Sequence, residues 1–181
     1  AASDVYKRQV LDLISEKGFE IFLDLKLHDI PNTVANSVRK ISNFNVALTT
    51  IHLNGGKDMI EAASSEKENI KILGVSILTS LSENDIFEIT HTEFDAYFNN
   101  LISIASNTNI DGVVCSPKEL DKLKNFSKLK VVPGIRNDIS DDDQKRVMSP
   151  LEAYQKGADF IVVGRPITKS CLLYTSDAAD D

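Results

Sequence analysis

Two kinds of pattern alternate along the chain. Short runs rich in Val, Ile and Leu read as strands: "EIFLDLK" (20–26), "VALTTIHL" (46–53), "IKILGVSIL" (70–78), "IDGVVCS" (110–116), "LKVVPGIR" (129–136) and "ADFIVVGRPI" (158–167). Their nearly continuous apolar character suits strands buried on both faces. Helical stretches lie between them. "VLDLISEKG" (10–18) ends at Gly18, a C-cap candidate, and the helix in "NTVANSVRKIS" (32–42) is begun by Pro31 and Asn32. "GGKDMIEAASSE" (55–66) opens at a double glycine, a long helical region covers roughly 83–107, and "PKELDKLKNF" (117–126) starts with Pro117. "SPLEAYQKG" (149–157) has Ser149 as cap, Pro150 at its first position and Gly157 at its end.

Strand–helix alternation without hairpin signals predicts a parallel α/β sheet. It is either an open doubly wound sheet or a (β/α)8 TIM barrel. Polar groups end several of the runs: Lys26, His52, Thr79, Ser116, Arg136 and Arg165. A barrel gathers its strand ends into one ring and works there, whereas an open sheet uses mainly its switch point. The pattern therefore favours a barrel. A full barrel takes about 250 residues, so an incomplete one is expected, with strands 3–8 present and the first two strands and last helix missing.

The ends change this picture. "AASDVYKRQ" (1–9) is what a synthetic transposase-type sequencing adapter encodes, and "CLLYTSDAADD" (171–181) is what its reverse complement encodes in a shifted frame. The expectation is one partial barrel domain over 10–170 flanked by two artefactual tails. The tails hold two cations and four anions, so without them the net charge of −7 becomes −5. Mild acidity argues against nucleic-acid and anionic-membrane partners. Cys115 is then the only natural cysteine, which allows no internal disulfide and suits a reducing cytoplasm. No metal-ligand spacing appears, and "NDISDDD" (137–143) lacks the Gly and closing Glu of a calcium loop.

Two constellations carry chemistry. Asp24 and Lys26 share one face of a strand, with Leu23 and Leu25 opposite, and Asp29 follows just past it. The pair alone is equally an ion pair that holds the strand in register, and Asp29 equally a helix-capping residue before Pro31. At the mouth of a barrel, however, a lysine held between carboxylates stays charged. It can then donate a proton or stabilise negative charge developing on carbon. The second constellation is Gly134 with Arg136 and Gly164 with Arg165, at the ends of two successive strands. Glycine permits close backbone approach and guanidinium suits a phosphate, although surface pairing with the acidic loop 138–143 would also account for the arginines. The loops after the last two barrel strands are where a phosphate site is expected. Gln144 lies in the loop after Arg136, where a lid over a phosphate would sit. His52, His28 and Cys115 read first as structural residues.

"FLDLKLHDIPNT" (22–33) resembles the signature of orotidine 5′-phosphate decarboxylases, the enzymes that make UMP. "IHLNGG", "ILTS", "DGVVCS", "VPGIR", "DQKRVMSP" and "VVGRPIT" resemble bacterial members in the same order. The resemblance implies a cofactor-independent carboxy-lyase of pyrimidine biosynthesis. Lys26 would protonate C6 of the pyrimidine as carbon dioxide leaves, with Asp24 near the departing carboxylate. The substrate-binding set would be Asp24, Leu25, Lys26, Leu27, His28, Asp29, Ile30, Pro31, Asn32, Thr33, Thr79, Arg136, Gln144, Gly164 and Arg165. Of these, Arg165 and Gln144 would hold the phosphate and Thr79 the pyrimidine. Asp29 and Thr33 would complete the neighbouring subunit's site across a homodimer interface.

The family also has a sugar-binding Asp on its first strand and a Lys on its second, completing a Lys-Asp-Lys-Asp array. Both would precede Val10, so the 181-residue chain by itself is expected to be inactive or nearly so. The alternatives are another phosphosugar decarboxylase of the same superfamily, of the metal-dependent 3-keto-gulonate 6-phosphate type, and a non-catalytic phosphate-ligand-binding fragment. An α/β fragment with no function of its own is a third.

Overall fold

A computed structural model of the chain describes residues 2–135 and 148–168, with side chains from Gln9 onward. The chain divides into two compact units, one of residues 1–76 with 98–112 and the other of residues 77–97 with 113–181.

The first unit begins with helix α1, Ala2–Glu16. It starts well before the stretch at 10–18 because nothing upstream breaks it; Gly18, at φ 81°, ends it with a left-handed turn. Three parallel strands follow, β1 (Phe22–Leu27), β2 (Leu48–His52) and β3 (Lys71–Val75), ordered β1-β2-β3. β2 and β3 pair without a break from Leu48↔Lys71 to His52↔Val75. β1 and β2 do not: Leu23 pairs with Thr49 and Leu27 with Ile51, so four steps along β1 match two along β2.

Helix α2 (Pro31–Ile41) buries Val34, Ala35, Val38 and Ile41, the i, i+1, i+4, i+7 stripe of an amphipathic helix. It packs on α3 (Lys57–Ser65), which buries Met59, Ile60 and Ala63. Each large aliphatic side chain fully buried here contributes roughly 1.5–3 kcal/mol. A 3-10 turn, Leu53–Gly55, precedes α3, so the helix begins two residues later than the double glycine suggests. Gly74 lies in β3 where a Cβ would stand 2.3 Å from Leu53 Cδ2 and 2.8 Å from Ile110 Cδ1.

The second unit holds helix α4, Glu83–Thr90, and helix α5, Phe94–Ser106, begins in it. The single helical region expected over 83–107 is thus two helices. His91 adopts φ 51° and closes α4, its N–H donating to Phe87 O at 2.8 Å. Strands β4 (Gly112–Val114), β5 (Leu129–Pro133) and β6 (Phe160–Val162) are ordered β4-β5-β6, with β5 and β6 parallel from Val131↔Phe160 to Pro133↔Val162. Residues 117–123 form a 3-10 helix, not the expected α-helix. Its buried Pro117, Leu120 and Leu123 recur every third residue, the 3-10 period. Helix α6 (Pro150–Gln155) carries the predicted Ser149 cap, whose hydroxyl accepts from Glu152 N at 3.3 Å. Helix α7, Arg165–Thr168, follows β6. Arg165 therefore opens a short helix and does not end a strand, because β6 stops at Val162.

Among the described residues, no helix is long and apolar enough to cross a membrane.

Candidate active site

The first unit brings Asp24 and Lys26 together. Lys26 Nζ donates to Asp24 Oδ2 in a direct ion pair, with the two side chains 40% and 45% exposed. The local backbone is unusual for a strand. Lys26 has φ 49°, in the left-handed region, and this coincides with the slip of β1 against β2. A non-glycine residue there carries a conformational cost of roughly 1–2 kcal/mol, and such strain concentrates at functional sites. The alternation expected along β1 is lost with it. Leu25 is exposed, while Leu23 and Leu27 both pack against the cluster of Ile21, Ile41, Val46 and Ile70.

Thr50, fully buried on β2, spans the slip. Its hydroxyl accepts from Lys26 N at 2.8 Å and donates to Asp24 Oδ1 at 2.7 Å. Thr49 beside it donates from its hydroxyl to Leu23 O at 2.9 Å. Sequence reasoning passed over both threonines, since Thr is an ordinary strand former. The only available signal was two adjacent hydroxyls inside an otherwise apolar strand.

His28 and His52 stack with centroids 5.4 Å apart and planes tilted by 44°. Burial lowers the His52 pKa below the usual imidazole value, and the neighbouring His28 and Lys26 lower it further. That environment favours the neutral form of the His52 imidazole. Past the strand, His28, Asp29, Ile30, Pro31, Asn32 and Thr33 are all exposed. Asp29 is not the N-cap: Ile30 holds that position, and Asp29 Oδ1 accepts from Ile30 N at 2.7 Å.

The second unit holds the other predicted groups. Thr79 is half-buried in a turn four residues past β3. A cavity of about 240 Å³ at the ends of β5 and β6 is lined by Pro133, Gly134, Ile135, Val162, Gly164, Arg165 and Pro166. Gly134 has φ 80°, which glycine tolerates without a Cβ clash. Gly164 O accepts from Ile167 N and Thr168 N, both at 3.0 Å, closing α7. Arg136 and Gln144 lie outside the described residues. Cys115 is buried, and burial together with Glu119 raises its pKa, so it is no nucleophile at neutral pH. No cluster of three His, Cys, Asp or Glu able to hold a metal occurs among the described residues.

Comparison with known proteins supplies the rest. The sequence profile described as "Orotidine 5'-phosphate decarboxylase / HUMPS family" matches residues 3–171. The orotidine 5'-phosphate decarboxylase of Laribacter hongkongensis is 40% identical over 171 residues, covering 90% of this chain and 71% of that protein. That of Aquifex aeolicus is 46% identical over 168 residues, covering 89% and 72%. Among solved structures, the orotidine 5'-phosphate decarboxylase from Lactobacillus acidophilus matches with a TM-score of 0.80 at 33% identity, covering 94% of this chain and 77% of that one. The fold is part of a (β/α)8 barrel. The consecutive strand order within each unit agrees, since a doubly wound sheet reverses its order at the switch point.

Proposed function

The chain belongs to the orotidine 5′-phosphate decarboxylase / HUMPS family, and from that premise we propose that its function is decarboxylation of orotidine 5′-phosphate to UMP. The observation that carries the proposal is the Asp24–Lys26 ion pair on a strained strand end. Loss of carbon dioxide leaves an electron pair on C6 of the pyrimidine. A fixed ammonium beside that carbon stabilises the charge and then delivers a proton to it. Lys26 fills that role, and Asp24, paired with its ammonium, aims it. Whether Asp24 also repels the substrate carboxylate is a separate matter of ground-state energy.

The phosphate role falls to Gly164 and Arg165, with Arg136 and Gln144, and contact with the pyrimidine to Thr79. The cavity beside Gly164 and Arg165 supports the first assignment. Binding energy from that distant phosphate serves the reacting carbon. We further propose a cytoplasmic homodimer in which Asp29 and Thr33 serve the partner subunit's site. The uninterrupted exposure of His28–Thr33, with Ile30 67% exposed, supports this. No metal or organic cofactor enters the scheme.

The 181-residue chain alone is proposed to turn over weakly or not at all, the family's sugar-binding aspartate and second lysine being expected on strands ahead of β1. The test therefore joins Val10 onward to the first two strands of a bacterial relative and follows carbon dioxide release from carboxyl-labelled substrate. Turnover is expected in that fusion, with a loss of about 10²–10⁴-fold in Lys26→Ala. A fusion that binds UMP but releases no carbon dioxide would overturn the decarboxylase reading. Undiminished turnover in Lys26→Ala would overturn the role of Lys26.

A further inference from the structure

We propose that Thr50 is a positioning residue that holds the Asp24–Lys26 pair in its working geometry. The inference deepens the decarboxylase reading and rests on it for the meaning of that geometry, although the hydrogen bonds stand independently.

The argument starts from the slip in β1. Where four steps of β1 meet two of β2, the regular ladder cannot pair every group. Lys26 N–H finds the Thr50 hydroxyl in place of a strand carbonyl. A hydroxyl has a single proton, and here its direction is determined. Lys26 N is already a donor, so the oxygen accepts from it and the Thr50 proton goes to Asp24 Oδ1. One buried side chain thereby ties the strained backbone of Lys26 to the carboxylate that its own ammonium contacts through the other oxygen. Four groups of three residues close a ring: Lys26 backbone, Thr50 hydroxyl, Asp24 carboxylate, Lys26 ammonium. The β-branched Thr50 has few rotamers, so the ring is held by a stiff element of the scaffold. Asp24 and Lys26 are themselves part-exposed and have no comparable packing to fix them.

Valine is nearly the same shape as threonine without the hydroxyl, and serine keeps the hydroxyl without the branch. In the 181-residue chain labelled with 15N, Thr50→Val is expected to speed hydrogen exchange of the Lys26 amide on the order of tenfold, the worth of one hydrogen bond. Amides of β2 and β3 should keep their protection. The Lys26 Nζ resonance should move in Thr50→Val and return in Thr50→Ser. The unaltered chain gives an independent reading, namely a slowly exchanging Thr50 hydroxyl proton with a cross-peak to the Lys26 amide. In the fusion used for turnover, Thr50→Val should lower kcat on the order of 10²-fold, the scale of an ångström's misplacement, with KM unchanged. Thr50→Ser should restore most of it.

Equal protection of the Lys26 amide in Thr50→Val, or absence of the hydroxyl signal in the unaltered chain, would overturn the proposal. So would an unchanged kcat. Failure of the decarboxylase reading looks different, since the fusion would then be silent with unaltered Thr50 while the exchange and resonance pattern held.

Discussion

Replacing Lys26 by glycine and by alanine separates backbone strain from side-chain chemistry. Both substitutions remove the ion pair with Asp24. That loss is common to the two variants and small, under about 1 kcal/mol for side chains this exposed. They differ in the backbone. At φ 49° a Cβ crowds the following carbonyl, at roughly 1–2 kcal/mol. Lys26→Ala keeps that cost and Lys26→Gly removes it. Glycine gives back roughly 0.5–1 kcal/mol through the greater freedom of its unfolded chain. Lys26→Gly should therefore be the more stable variant, by up to about 1.5 kcal/mol. At an ordinary strand position the order reverses, because glycine there costs roughly 0.5–1 kcal/mol against alanine. The sign of the difference is thus diagnostic. Urea unfolding of the two variants side by side measures it as a shift in midpoint at constant slope. Lys26→Ala more stable than Lys26→Gly would refute the strained backbone at Lys26.

Two further predictions concern the scaffold of the first unit. Gly74→Val should destabilise by about 1–3 kcal/mol in the same urea assay, because its Cβ would overlap Leu53 and Ile110, both buried and unable to withdraw freely. Arg39 grips Glu66 through Nε and Nη2, both at 2.7 Å, and these bonds hold the Glu66 pKa below its usual value of 4.5. A carboxylate with a lowered folded pKa adds stability above its unfolded pKa and loses it as pH falls through the folded one. Arg39→Gln should therefore lower stability slightly at neutral pH and flatten its loss below about pH 4.5, the variant and the unaltered chain converging in acid, as read from thermal midpoints across a pH series.

The barrel strands were legible because burial on both faces leaves an unbroken Val/Ile/Leu signature, and all six runs became strands, shortened at one end or both, although β1 runs one residue further to Leu27. Capping chemistry was legible for the same local reason, as at Ser149. The break at His91 was hidden, since nothing in "EITHTEF" demands a left-handed residue: no glycine marks the spot. The 3-10 helix at 117–123 was readable in retrospect from its three-residue apolar spacing, which a helix-or-strand choice ignores. The candidate site divides the same way. Asp24 and Lys26 stand two apart, so adjacency on a strand predicted their contact, although the backbone between them is not a regular strand. Thr50 was invisible because its partners lie 24 and 26 residues away and depend on a slip in register that no short window encodes. Arg165 was placed on a strand because apolar residues continue on both sides of it, while Gly164 already starts a helical turn.

The two extra residues in β1 have a bearing on self-association. Among the described residues β1 pairs with β2 alone, so its other edge presents backbone groups that a foreign strand could extend. A regular edge would offer an even row of donors and acceptors. Here the row is kinked at Lys26, whose N–H is already taken by Thr50, and a lysine and an aspartate stand at the kink. Bulges and charges on an edge are the means by which soluble sheets avoid stacking into aggregates. A kinked edge carrying both charges is a poor template for assembly between copies of the chain.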